Sequence, residues 1–216
     1  MKLYLLRHGE TAVNKKGGIF QGQIEVPLND AGIAQAQAAH DDFVRRGILF
    51  DKVYSSPQGR ALHTAQLASG WDRSRILTDD RLKEQSFGPL EGKTWDCMEP
   101  SKFHALMCDA GNYVPPAGAE SILHLVQRCS SFLEEMRRTR PADTILTVCH
   151  GGTIRAMLVT LHALDLDTFW QPPVGNCAWY ELTLEDGRFS ITNHSRGSEL
   201  PMGDVPEKVA DLMEQA

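Results

Sequence analysis

Apolar residues recur along this chain in two rhythms, short continuous runs and runs spaced by three and four. Residues 2–6 form a short apolar run with a charged, glycine-containing turn behind it, which predicts a buried strand ending in a functional loop. Residues 51–55 and 144–149 read as further strands, and 75–78 as a short one. Asn29 or Asp30 can cap a helix running through Arg46, with Ile33, Ala36, Phe43 and Val44 near one face and Gly47 as the stop. Ser56-Pro57 is expected to open a second helix with Ala61, Leu62, Ala65 and Ala68 inward, ending at Gly70. The clearest helix carries Ile122, Leu125, Val126, Cys129, Phe132, Leu133 and Met136, with Arg137, Arg138 and Arg140 near its carboxyl end and Pro141 after it. A helix with Ile154, Met157, Leu158 and Leu161 on one side follows the 144–149 strand. Residues 177–184 and 189–193, joined across Asp186-Gly187, predict a hairpin, and 204–216 a short terminal helix.

Strands alternating with amphipathic helices imply a parallel sheet covered on both faces. The expected fold class is therefore α/β: a three-layer α/β/α arrangement with a mostly parallel sheet and an antiparallel edge hairpin near the C-terminus. Residues 85–118 break the pattern. Gly88, Pro89, Gly92, Pro100, Gly111, Pro115, Pro116 and Gly118 interrupt a segment that still holds Phe87, Trp95, Phe103 and Tyr113, which reads as a small loop and helix insertion covering a site. Its aromatics read as a satellite core placed to shape a ligand pocket. The chain as a whole, 1–216, reads as one domain with this cover.

Composition narrows the function. A chain of 216 residues with 22 Lys+Arg against 28 Asp+Glu carries a net charge of −6, the opposite of a nucleic-acid binder's footprint. Any polyanion must meet a locally basic site. The first apolar run is cut off by Arg7, His8 and Glu10, too short for a signal-peptide core, and no stretch approaches a spanning helix, so a soluble cytoplasmic protein without membrane partners is expected. Cys97, Cys108, Cys129, Cys149 and Cys177 are odd in number and widely spaced, which argues against a disulfide framework or a zinc cluster. A monomer and a homodimer are both compatible with this composition.

Two strands end in histidine followed by glycine, at His8-Gly9 and at His150-Gly151-Gly152. If the strands are parallel neighbours, both imidazoles lie at one sheet edge, where ligands of such sheets bind. The glycines permit sharp turns and close backbone approach, and a following helix amino terminus favours an anion. Arg7 and Arg60 can add guanidinium forks for phosphoryl oxygens. The set predicts a phosphate pocket. Cys149 precedes His150 on its strand and points to the opposite face, so it is not expected to act as a nucleophile.

Six blocks extend this picture: L-R-H-G-E-T-A-V-N (6–14), Q-G (21–22), P-L-N-D-A-G (27–32), S-S-P-Q-G-R-A-L-H-T-A (55–65), L-K-E-Q-S-F-G (82–88) and C-H-G-G-T-I-R (149–155). In this order and spacing the chain resembles the histidine phosphatase superfamily, also called phosphoglycerate-mutase-like, on its phosphatase side. The resemblance implies that His8 attacks phosphorus to form a phosphohistidine, that Arg7, Arg60 and His150 line the phosphoryl pocket, and that Glu84 protonates the leaving group and later activates water. A protonated His150 would add positive charge. By the same resemblance Asn14, Gln21, Gly22 and Gly151 are auxiliary phosphate and substrate contacts. No cofactor and no metal are implied, and the partner is a small phosphorylated metabolite.

The implied activity is metal-independent hydrolysis of a phosphomonoester. Two alternatives stand beside it: a cofactor-dependent phosphoglycerate mutase, whose family pattern carries Asn where Gly152 stands here, and a non-catalytic phospholigand-binding protein. Glu25, Leu90 and Ala119 depart from the family's usual Asp, Trp and Gly, which bears on substrate contacts. The stretch Gly88-Pro89-Leu90-Glu91-Gly92-Lys93-Thr94 imitates a P-loop but is one residue short between its glycines and lacks a preceding apolar strand. His40, His63, His104, His124, His162 and His194 are scattered and form no metal-binding motif.

Overall fold

The alternation in β1 (Lys2–Arg7) sends Leu3 and Leu5 to one face of the sheet and Tyr4 and Leu6 to the other, all four fully or almost fully buried. A computed structural model describes residues 1–170, 173–195 and 197 of the chain. Around β1 lie β2 (Lys52–Ser55), β3 (Leu77–Thr78), β4 (Thr144–Cys149), β5 (Trp179–Glu185) and β6 (Arg188–Ser195), in the order β3-β2-β4-β1-β5-β6. The strands β3, β2, β4 and β1 are parallel, whereas β5 pairs antiparallel with β1 and β6 antiparallel with β5. The expected hairpin thus forms the antiparallel side of the sheet, with Asp186 and Gly187 both at positive φ in its turn.

Two helices, α2 (Asp30–Arg45) and α3 (Gly59–Ser69), cover the Tyr4 and Leu6 face; α1 (Ala12–Lys16) is a single turn after β1. Small inward residues, Ala36 and Ala39 on α2 and Ala61, Ala65 and Ala68 on α3, leave room for an aromatic nest. Tyr4, Phe43, Phe50 and Trp179 fill it, with ring centroids 5.2 to 5.9 Å apart. The opposite face packs against α4 (Pro100–Cys108), α5 (Ile122–Thr139) and α6 (Gly151–Thr160). Three layers result.

Several boundaries differ from the expected ones. Asn29 caps α2 by accepting from Gly32 N at 2.8 Å, but Ser56-Pro57-Gln58 stay outside α3, which starts at Gly59. The Ser56 and Gln58 side chains are used in the site below instead. β3 is shortened to two residues because Arg73–Arg75 form a 3-10 turn. The helix α6 is not one-sided: residues 151–158 are buried all round, since it lies between the sheet, α5 and the Glu84 loop. The predicted terminal helix at 204–216 lies outside the described residues.

The 85–118 segment contains α4 and two 3-10 turns, Gly88–Leu90 and Trp95–Cys97, and no strand. Phe103 and Tyr113 are buried, with Phe87 and Trp95 packed against the same core; rather than the separate satellite expected, they join the main core that holds Leu3, Leu5 and the inward residues of α5. The P-loop imitation opens no α-helix. Its Glu91 carboxylate instead accepts from Gln23 N at 3.1 Å, Phe87 N at 3.0 Å and Ser86 Oγ at 3.3 Å, stapling the insertion to the loop after Gly22.

Candidate active site

Because β1 and β4 are adjacent and in register, with Arg7 opposite Cys149, the residues that follow them come together at the carboxyl edge of the sheet. His8 and His150 lie with ring centroids 5.1 Å apart, and both are buried. His8 Nδ1 is 2.7 Å from the carbonyl oxygen of Gly9. A carbonyl only accepts, so Nδ1 carries the proton and Nε2 is the unprotonated nitrogen of a neutral ring. Burial, with the charges of Arg60 and Arg7, pushes the His8 imidazole well below its ordinary value, which keeps it neutral and basic only at Nε2.

The turn that aims His8 depends on a close approach. Gly9 packs against Gly32 in the first turn of α2, so near that a Cβ on Gly9 would sit 2.3 Å from the Gly32 carbonyl oxygen. Gly9 N donates to Thr64 Oγ1 of α3 at 3.0 Å, and Asn176 Nδ2 donates to the His8 carbonyl at 3.0 Å. The conformation of residues 8 and 9 is therefore fixed from α2, α3 and the loop before β5.

Arg60, on the first turn of α3, is almost fully buried, and its guanidinium donates to the carbonyls of Ile24 at 2.8 Å and Gly22 at 2.7 Å. Gly22 is at positive φ, which turns its carbonyl toward Arg60. Arg7 donates Nη1 to the Val174 carbonyl, and a Cβ on Gly151 would lie 3.6 Å from Arg7 Nε. Burial lowers Arg7 to about 10, partly opposed by the Glu84 carboxylate; it stays cationic at neutral pH. Burial likewise lowers Arg60, against the pull of Glu84, Glu25 and Glu91. Arg7 Nε, Arg60 Nε and His150 Nδ1 are all buried without hydrogen-bond partners. Each such group costs about 1–3 kcal/mol when left unsatisfied, and an acceptor-rich ligand beside His8 would relieve the two guanidinium N–H groups.

His150 Nε2 meets Ser56 Oγ at 2.9 Å. Burial, the charges of Arg60 and Arg7, and the neighbouring His8 push His150 well below its ordinary value. The neutral ring is favoured while no anion lies beside it, so the positive charge that a protonated His150 would add depends on a bound anion. Glu84 approaches from the 82–88 loop, its Oε2 accepting from Gly152 N at 3.3 Å at the start of α6. A Cβ on Gly152 would meet Glu84 Oε1 at 2.5 Å and the Trp170 ring at 3.4 Å.

The structure brings together Arg7, His8, Arg60, Glu84, His150 and Gly151. Asn14 and Gln21 stand behind them, engaged with one another: Asn14 Nδ2 donates to Gln21 Oε1 at 3.0 Å, and Gln21 Nε2 to Thr11 Oγ1 at 3.3 Å. Their polar ends are tied into the wall of the loop. Sequence reasoning did not single out Ser56, Gln58, Thr64 or Arg155. Gln58 joins three parts of the site, accepting from Glu84 N at 2.8 Å, donating to the Gly22 carbonyl at 3.3 Å and receiving Ser56 Oγ at 3.5 Å. Arg155, one turn into α6, comes within 3.0 Å of the Cβ position of Gly151, and its guanidinium lies 5.3 Å from the Trp170 ring centroid. Ser56, Gln58, Thr64 and Arg155 all stood within the quoted blocks, and that membership was the signal that could have found them.

Glu25, one of the departures, accepts from Gly59 N at 3.0 Å and so caps the start of α3. Cys149 and Cys177 are buried, and burial pushes Cys149 well above the ordinary thiol value and Cys177 to about 12, so both are inert thiols. Among the described residues no group of three or more His, Cys, Asp or Glu is gathered to hold a metal, and no helix is long and apolar enough to cross a membrane.

Residues 3–196 match the family model of the histidine phosphatase superfamily (branch 1). The metal-independent phosphoserine phosphatase of Arabidopsis thaliana is 32% identical over 166 residues, 74% of this chain and 68% of that protein. The adenosylcobalamin/alpha-ribazole phosphatase of Escherichia coli K12 is 29% identical over 85% of this chain and 90% of its own length. A crystal structure of a mutant phosphoserine phosphatase from Entamoeba histolytica in complex with phosphoserine superposes with a TM-score of 0.79 at 26% identity, covering 89% of this chain and 95% of that one. With its family model matched over almost the whole described chain, and with two histidines and two arginines at one sheet edge, the protein belongs to the histidine phosphatase superfamily, branch 1.

Proposed function

We propose that this protein is a metal-independent phosphatase that hydrolyses a small phosphorylated metabolite through a phosphohistidine on His8. The observation that carries the reading is the pairing of a neutral His8, whose Nε2 lone pair is left open by the Nδ1 bond to Gly9, with the buried, unpartnered Nε–H groups of Arg7 and Arg60 beside it. Nε2 attacks phosphorus and the ester P–O bond breaks. Arg7, Arg60 and His150, with the amino terminus of α6, offset the charge on the equatorial oxygens, the kind of preorganised field that is usually the largest catalytic term. Glu84 gives its proton to the departing alkoxide, and its carboxylate then takes a proton from the water that attacks the phosphohistidine, releasing phosphate and neutral His8. Gly22, Gly151, Asn14 and Gln21 shape the pocket, and residues 85–118 cover it. Relatives named for phosphoserine and ribazole phosphate support a small phosphomonoester as substrate.

Gly152 favours hydrolysis over mutase chemistry. A side chain there, as the mutase pattern carries, would displace the Glu84 carboxylate. The test is phosphate release with EDTA present from O-phosphoserine, glycerol 2-phosphate, ribose 5-phosphate and 3-phosphoglycerate, the last with and without 2,3-bisphosphoglycerate. Release from one or more of these esters is expected. Bisphosphoglycerate-dependent formation of 2-phosphoglycerate without release would make the protein a mutase, and binding without turnover a phospholigand-binding protein.

A further inference from the structure

Glu84 sits on a loop with no regular structure, yet its carboxyl must meet a leaving-group oxygen within hydrogen-bond reach to act. Its main chain is gripped on both sides. Glu84 N donates to Gln58 Oε1 at 2.8 Å, while the Glu84 carbonyl accepts from Gln23 Nε2 at 2.9 Å and from Arg128 Nη2 at 3.1 Å. Arg128 comes from the middle of α5 and makes no hydrogen bond to the residues of the phosphate pocket. Its guanidinium also donates Nη1 to the Arg81 carbonyl at 2.6 Å, and it forms a fork with Glu120, Nε to Oε1 at 2.7 Å and Nη2 to Oε2 at 2.8 Å.

Glu120 continues the grip. Its Oε2 accepts from Ser86 N at 3.3 Å, its main-chain N donates to the Ser86 carbonyl at 2.8 Å, and its carbonyl accepts from Gln85 Nε2 at 2.9 Å. The pair thus holds residues 81, 84, 85 and 86 against α5 from one point and also joins the two ends of the 85–118 insertion. Both side chains are largely buried, at 13% and 9% exposure. Burial alone would raise the Glu120 carboxyl, but the Arg128 fork, with His124 and the Ser86 N–H, more than offsets this and keeps it ionised. A buried ion pair is a poor source of net stability compared with apolar packing, and its best-supported use is to fix geometry.

We propose that Arg128 is a positioning residue for the reaction: through the Glu84 carbonyl and through Glu120 it sets where the Glu84 carboxyl stands relative to the leaving group. The inference rests on the acid role of Glu84 given above. Arg128 and Glu120 make no hydrogen bond to Arg7, His8, Arg60 or His150, and the Arg128 charge is the smallest of the contributions acting on His150, so its loss is expected to impair protonation of the leaving group far more than it disturbs the phosphoryl pocket.

The experiment compares wild type, Arg128→Met, Arg128→Lys and Glu84→Gln on the best alkyl ester of the panel and on p-nitrophenyl phosphate, whose leaving group departs without a proton. Arg128→Met is expected to lower kcat/KM about tenfold or more on the alkyl ester, a part of the hundredfold or greater effect of an acid. Less than about threefold is expected on the aryl ester, with orthovanadate inhibition unchanged, and Arg128→Lys is expected to recover part of the loss. Equal losses on both esters, or none on either, overturn the proposal while leaving the phosphatase reading in place. If Arg128→Met does not fold, Arg128→Lys and Glu120→Gln are read by the same ratio. A wild type inactive on every alkyl ester overturns the role of Glu84 and this inference with it.

Discussion

Replacing Gly9 with alanine tests how tightly the fold aims its nucleophile. The added Cβ would stand 2.3 Å from the Gly32 carbonyl oxygen, 2.9 Å from the Gly32 carbonyl carbon and 3.0 Å from its Cα. All three are backbone atoms in the first turn of a sixteen-residue helix, so no side chain can swing aside. An ordinary carbon–oxygen contact needs roughly 1 Å more, and either α2 or the 8–10 loop must move by about that amount. Overpacking of this kind costs about 1–3 kcal/mol. At roughly 2–4 °C per kcal/mol for a chain of this size, Tm is expected to fall by several degrees. The catalytic loss is larger in proportion, because the Gly9 carbonyl holds the His8 Nδ1 proton. A shift of about 1 Å in a reacting group costs on the order of a hundredfold in rate. Thermal melts and kcat/KM on p-nitrophenyl phosphate measure the two effects. Gly111→Ala is the control, since its Cβ would meet only the Leu166 side chain at 3.7 Å, and it is expected to be near neutral. A Gly9→Ala protein with wild-type Tm and activity would refute the reasoning.

Buried, neutral His8 and His150 predict a pH-dependent stability. Their folded-state values lie well below 6.5, so as pH falls below that value the unfolded chain takes up protons that the native state refuses, and stability drops by up to about 1.4 kcal/mol per pH unit for each histidine. Above pH 7 the contribution vanishes; urea melts between pH 7 and 5 should show His8→Ala with the shallower slope, and equal slopes would contradict the neutral assignment. Ser56→Ala removes the His150 Nε2 partner and is expected to cost about 1–3 kcal/mol together with a loss of activity, read from denaturant midpoints and kcat. Unchanged midpoint and unchanged kcat would mean that Ser56 does not hold the ring.

The layers of the fold were legible because the two rhythms of apolar residues are clean. The α5 seam of Ile122, Leu125, Cys129, Phe132, Leu133 and Met136 is buried as its spacing predicts. The site was legible because both histidines end strands and are followed by glycine. Helix α3 began later than expected, since Ser56 and Gln58 make bonds across the site that local propensity cannot display. The protonation of His150 was not legible at all, because it depends on burial and on guanidinium groups contributed by distant parts of the chain. Arg128 and Glu120 drew no reading from the sequence; only the packing of α5 against the 81–86 loop makes them a pair.

The central claim is that His8 carries the phosphoryl group between substrate and water. Rapid quench of wild type during turnover of p-nitrophenyl phosphate, followed by peptide mass spectrometry under alkaline conditions that preserve phosphohistidine, tests it directly. The expected result is one phosphoryl group on the peptide containing His8, absent from a folded and inactive His8→Ala protein. An adduct on another residue, or normal turnover by folded His8→Ala, would contradict the account.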